Sequence, residues 1–136
     1  MELGFTTRLH TDFDDAVSRT REALAEQGFG VLTEIDVTAT MKKKLGEDME
    51  NYLILGACNP PLAHRALGVD RQIGLLLPCN VIVRDDPLSS GVLVEAMNPG
   101  IMVQVTDAPG LLDVAADASD KLKAAIAALS APATAK

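Results

Sequence analysis

Apolar and polar residues alternate with a period of two at the start of the chain, and then change to helical spacing. The alternation predicts a half-buried strand over residues 3–9. After it, apolar and small residues recur every three or four positions, which predicts a helix. Its expected buried stripe consists of Phe13, Ala16, Val17, Thr20, Ala23 and Leu24. Thr11 and Asp14 suit a box-like cap, and Gly28 suits the left-handed end of the helix.

Alternation returns directly after this helix and predicts a second strand. One face of that strand is expected to carry Phe29, Val31, Thr33, Ile35 and Val37. A strand, a helix and a strand within the first 37 residues permit a right-handed βαβ crossover. Residues 38–45 have the pattern of a short helix that ends at Gly46.

The middle of the chain contains a nearly continuous apolar run from Tyr52 to Ala57, which predicts an inner strand covered on both faces. Pro60 and Pro61 fit the first turn of a helix, where their missing N–H groups cost nothing. That helix is expected to reach about Gly68, with a brief helical continuation over residues 70–74.

Two further β-rich runs, Val81–Val83 and Val92–Met97, flank a segment dense in turn-forming residues, so they predict an antiparallel hairpin. Residues 101–105 fit either a strand or a short helix, and we favour the helix. A long amphipathic helix follows from near Asp107. Its expected buried stripe consists of Leu111, Ala115, Ala118, Leu122, Ile126 and Leu129.

Taken together, these elements predict an α+β fold in the order β-α-β-α-β-α-β-β-α. We expect a two-layer sandwich in which helices pack on a mixed β-sheet. Residues 1–129 are expected to form a single domain, followed by a flexible tail at 130–136.

Composition narrows the classes of function. The net charge is −7, and three Phe, one Tyr and no Trp supply few stacking surfaces, so nucleic acid is an unsuitable partner. The N-terminal residues lack a signal-peptide pattern, and no apolar run is long enough to cross a membrane. We therefore expect a cytoplasmic protein with reduced thiols and no membrane partner.

The candidate chemistry centres on two cysteines, Cys58 in Gly-Ala-Cys-Asn-Pro-Pro and Cys79 in Leu-Pro-Cys-Asn. Both follow strongly apolar runs, at the points where buried segments emerge into irregular backbone. A thiol beside a helix N-terminus can act as a nucleophile or redox centre, and Cys58 directly precedes a predicted helix start. Two thiolates with His64 would suit zinc or copper, but the spacing matches no zinc signature, so we assign no metal or other cofactor. Free cysteines also commonly just pack in a core.

The order of these motifs resembles an uncharacterised bacterial and archaeal family known as domain-of-unknown-function family 302. Its recurring positions fall here on Lys44, Gly46, Cys58, Asn59, Pro60, Pro78 and Cys79. The resemblance covers almost the full chain. It implies a compact α+β domain that pairs into dimers, and it supplies no agreed activity.

Three hypotheses for the function stay open at this point. The first is a homodimer that binds a small, anionic ligand in a pocket lined by Lys44, Cys58, Asn59 and Cys79, with N–H groups of a helix start as donors. The second is a thiol-dependent redox or sulfur-transfer enzyme with Cys58 and Cys79 as the catalytic candidates. The third is an interaction or scaffold protein without small-molecule chemistry.

Overall fold

A computed structural model describes residues 1–130, in which five strands and five α-helices are found. The strands are β1 (Gly4–Leu9), β2 (Gly30–Asp36), β3 (Tyr52–Cys58), β4 (Cys79–Asp85) and β5 (Val92–Met97). The helices are α1 (Phe13–Glu26), α2 (Val37–Leu45), α3 (Pro60–Val69), α4 (Gly100–Thr106) and α5 (Leu112–Ser130). The predicted α+β class and order of elements are confirmed, and the ambiguous segment at 101–105 is helical.

The sheet has the strand order β1-β5-β4-β3-β2, and all neighbouring pairs are antiparallel. The expectation of a mixed sheet was therefore wrong. The two strands joined by α1 lie at opposite edges and do not pair, so no βαβ crossover forms between them. Helix α1 instead runs across one face of the sheet, where it contacts β2, β4 and β5.

That face of the sheet forms the main core with α1 and α5, which pack side by side on it. Strand side chains alternate between the two faces, so every second residue of the inner strands points into this core. The most deeply buried of them are Leu55, Ala57, Val81, Val83, Val94 and Ala96. Helices α3 and α4 pack against the side of α5, where a second apolar cluster surrounds Ile73, Met102 and Leu111.

The opposite face of the sheet, here called the open face, lies outside this helical layer. It carries the alternate side chains Ile35, Tyr52, Ile54, Ile82, Arg84, Leu93, Glu95 and Met97. Ile54 lies directly opposite Ile82, and Arg84 Nε donates a 2.6 Å hydrogen bond to Glu95 Oε1. The apolar run of β3 was expected to be covered on both faces, but in the isolated chain only one face is fully buried.

The alternate side chains of β2 were predicted to lie on one face of the sheet, but they do not, because the register shifts between Val31 and Thr33. Val31 lies opposite Ala57 on the core side, whereas Thr33 lies opposite Gly56 on the other side. The extra residue of such a bulge reverses the direction of the side chains that follow it. Leu32, at the bulge, is left 69% exposed.

The observed helix ends agree closely with the predicted ones, except that the cap of α1 lies one residue later. The cap of α1 is Asp12 rather than Thr11, since Asp12 Oδ1 accepts a 2.7 Å hydrogen bond from the N–H of Asp15. Gly28 has φ +82°, the left-handed conformation expected after this helix. Helix α5 includes Ser130, and the rest of the predicted tail lies outside the described residues. Up to Ser130, no helix has both the length and the apolar character needed to cross a bilayer.

Gly56 is the position where the strands leave no space for a side chain. A methyl group there would overlap Thr33 Oγ1 and lie 2.9 Å from Pro78 Cγ. We expect Gly56→Ala to lower the free energy of unfolding by about 1–3 kcal/mol, measured by urea denaturation. Gly30→Ala is the matched control, because a methyl group at position 30 meets nothing within 4 Å. Equal stabilities of the two variants would contradict the close contact at Gly56.

Candidate functional site

A cavity of about 350 Å³ opens where β3 ends and β4 begins. Ala57 pairs with Cys79 across these two strands, and Cys58 is the next residue after Ala57. Because paired strands lie only about 4.8 Å apart, the backbones of the two cysteines lie close together. Both line the cavity, although twenty residues of chain, including α3, separate them.

The walls of the cavity are almost wholly apolar. They come from β2 and the turn before it, the end of β3, α3, the segment before β4, α4 and α5. The apolar lining residues are Phe29, Leu32, Ala57, Leu62, Ala63, Ala66, Leu67, Leu77, Pro78, Met102, Val114 and Ala118. The polar contribution is limited to Thr33, Asn59 and the two thiols, and the lining contains no charged side chain.

Asn59 lines the cavity but its side chain is already engaged in structural hydrogen bonds. Its Oδ1 accepts from the N–H of Leu62 at 3.3 Å, which caps the start of α3. Its Nδ2 donates to the carbonyl of Gln27 at 3.2 Å, in the turn between α1 and β2. The residue is 8% exposed. The structure therefore gives Asn59 a positioning role at the cavity wall.

The start of α3 has no free N–H group to offer an anion. Pro60 and Pro61 fill its first two positions and have no amide hydrogen. The next N–H, of Leu62, binds the Asn59 side chain, and that of Ala63 binds the Asn59 carbonyl at 2.9 Å. The predicted donors of an anion site are therefore missing or occupied.

Lys44, the expected cationic residue of the site, lies elsewhere. It is exposed near the end of α2 and is not among the residues that line the cavity. His64 is exposed on α3 and also does not line it. Among residues 1–130, no group of three or more His, Cys, Asp or Glu side chains could hold a metal ion.

The two thiols differ in their surroundings. Cys79 is 7% exposed, whereas Cys58 is only partly buried. Burial raises the pKa of Cys79 to about 11, and the charge of Cys58 adds to the effect. Up to residue 130, neither sulfur takes part in a disulfide or in a side-chain hydrogen bond, so both remain available to a molecule in the cavity.

Sequence reasoning located the strand-end side of the cavity but missed the opposite wall. That wall consists of Met102, Val114 and Ala118, which are far from both cysteines along the chain. The spacing of small residues in the sequence could have indicated this wall. Ala63 and Ala66 lie one turn apart on α3, and Ala118 of α5 lines the same cavity. Small side chains on two packed helices leave room that larger ones would fill.

We expect Asn59→Ala to destabilise the protein by about 1–2 kcal/mol, because it removes the cap of α3 and leaves the Gln27 carbonyl without its donor. Asn59→Ser is the informative control, since its uncharged hydroxyl keeps a capping acceptor for α3 and loses the donor to Gln27. Urea denaturation should rank the stabilities as wild type, then Asn59→Ser, then Asn59→Ala. An Asn59→Ala variant as stable as wild type would refute the positioning role.

Comparison with known proteins agrees with this architecture and leaves the chemistry unassigned. No curated protein matches the chain. A crystal structure of an uncharacterized conserved protein DUF302 from Bacillus stearothermophilus is similar, with a TM-score of 0.85 and 29% sequence identity. The similarity covers 93% of this chain and 98% of that one. The sequence matches the family described as domain of unknown function DUF302 over residues 5–129, and the chain therefore belongs to that family.

Proposed function

We propose that the protein binds a small, uncharged and largely apolar molecule in the cavity beside Cys58 and Cys79. The observation that carries this proposal is a cavity of about 350 Å³ whose lining contains no charged side chain. This volume falls at the lower end of the range of ligand sites, roughly 300–1,000 Å³. Such a site gains affinity by removing apolar surface from water.

This proposal replaces the anionic ligand expected from the sequence. An anion in the cavity would lose its hydration, and neither Lys44 nor an N–H of α3 would compensate for it. The lining offers only the Thr33 hydroxyl and the two sulfurs as groups that could orient a ligand. We retain the cytoplasmic location predicted from the sequence, where both thiols would stay reduced.

The cavity can be tested with an uncharged fluorescent probe, N-phenyl-1-naphthylamine. We expect the wild type to bind it, and Ala63→Leu to weaken binding at least about tenfold because the added side chain fills part of the cavity. Ala124→Leu is the matched control, an identical substitution at an exposed position of α5. Fluorescence titration gives the dissociation constants.

Two results would contradict the cavity proposal. One is the absence of probe binding to the wild type. The other is equal weakening by both substitutions, since Ala124 does not line the cavity. Circular dichroism of each variant verifies that the fold is retained.

We also propose that two copies of the chain pair through the open face. Ile54 and Ile82 are partly exposed at its centre, where an antiparallel sheet with one solvated face usually carries polar residues. A second copy would remove this apolar surface from water. The charges of Arg84 and Glu95 on the same face are paired with each other within the chain, so they do not repel a second copy.

Charge reversal tests this dimer. We expect the wild type to sediment at twice its 14.3 kDa chain mass. Arg84→Glu should weaken the dimer, because it breaks the ion pair with Glu95 and leaves two negative charges on each of the facing surfaces. The double variant Arg84→Glu/Glu95→Arg should restore the dimer, because each face again carries one positive and one negative charge. A monomeric wild type, or single and double variants that dimerise equally, would rule out this interface.

A further inference from the structure

We infer that Cys58 exchanges with small uncharged disulfides that enter the cavity, retaining one half as a mixed disulfide while Cys79 stays reduced. This inference rests on the proposed function, since the disulfide must first occupy the apolar cavity. It assigns different roles to two cysteines that the sequence presents as equivalent Cys-Asn pairs.

The first argument is access. Cys58 is partly exposed at the end of β3, whereas Cys79 is 93% buried in the main core beside Ala57 and Val81. Cys79 nevertheless lines the cavity without a hydrogen-bond partner among the described residues. Cys58 is therefore the more accessible of the two thiols that line the cavity.

The second argument concerns the class of electrophile. Acyl transfer to Cys58 would create an oxyanion, which enzymes stabilise with preorganised N–H donors. Here the N–H groups of Leu62 and Ala63 are occupied, and Pro60 and Pro61 have none. Thiol–disulfide exchange needs no oxyanion site, because the charge in its transition state is carried by sulfur atoms. The cavity suits exchange better than acyl transfer.

The reaction balances without any other oxidant. The Cys58 thiol loses its proton to solvent, and the thiolate attacks one sulfur of RS–SR. The bond between the two R-group sulfurs breaks as the bond from Cys58 Sγ to sulfur forms. The leaving RS⁻ takes up a proton, so one RSH is released for each chain modified.

The third argument explains why the mixed disulfide persists. To resolve it, Cys79 would have to attack as a thiolate. Burial, the larger cause of its raised pKa, persists in the adduct, so almost all Cys79 is protonated at pH 7. The cavity lining contains no charged side chain, and its only other titratable group is Cys58, so nothing there promotes ionisation of Cys79. An external thiol is then needed to release the adduct.

The test uses 4,4′-dithiodipyridine, an uncharged disulfide whose released thione absorbs light. At pH 7 we expect the wild type and Cys79→Ala each to release one equivalent, and Cys58→Ala to release none. Peptide mass spectrometry should locate the adduct on Cys58. The dianionic disulfide 5,5′-dithiobis(2-nitrobenzoate) should react at least about tenfold more slowly, once each rate is divided by that of the urea-unfolded chain.

Other outcomes would overturn the inference. Two equivalents released by the wild type would mean that Cys79 also reacts, either with the reagent itself or with the adduct on Cys58. Modification of Cys79, or equal normalised rates for the two reagents, would exclude selective exchange in the cavity. If Cys58→Ala folds poorly, Cys58→Ser replaces it in the same experiment. Binding of N-phenyl-1-naphthylamine separates the two proposals: if it binds while Cys58 stays unmodified, only the exchange is wrong.

Discussion

The side chain of Asn59 holds together the part of the fold on which the site depends. One amide group joins the end of β3, the start of α3 and the turn between α1 and β2, through its bonds to Leu62 and Gln27. The turn fits closely, because a methyl group on Gly28 would lie 3.0 Å from Asn59 Nδ2. These bonds help to fix the angle at which α3 leaves the strand ends, and with it the position of the cavity wall.

The hydrogen bonds that buried polar groups already form within the protein also limit the kinds of molecule that the cavity can bind. In the described residues, no buried side-chain nitrogen or oxygen lacks a hydrogen-bond partner. A ligand therefore finds apolar walls and few unsatisfied donors or acceptors, which selects against ions and strongly polar molecules. The sulfur atoms are the exception, because a thiol is a weak hydrogen-bonding group and can be buried at little cost. Under the exchange proposed above, reactivity toward soft electrophiles is the chemistry that such a site would retain.

The sequence predicted the features that arise from local spacing. The helical stripe from Phe13 to Leu24, the double proline at the start of α3, and the β4–β5 hairpin all follow from contacts within a few residues. It did not predict the bulge after Val31, since the alternation of Phe29 to Val37 shows no break. It also misplaced Lys44, because whether α2 approaches the cavity depends on the order of strands that are distant along the chain.

The sequence did not predict the open face, for a related reason. An unbroken apolar run such as Tyr52 to Ala57 indicates that both sides of a strand are buried, but it does not indicate what covers each side. Here the helical layer covers one side, and the proposed second copy covers the other. The two surfaces meet at Gly56, where Thr33 and Pro78 fill the space of the missing side chain and also line the cavity. A partner on the open face would therefore pack beside the outer wall of the cavity, so that the proposed pairing and the proposed ligand binding would depend on the same strand ends.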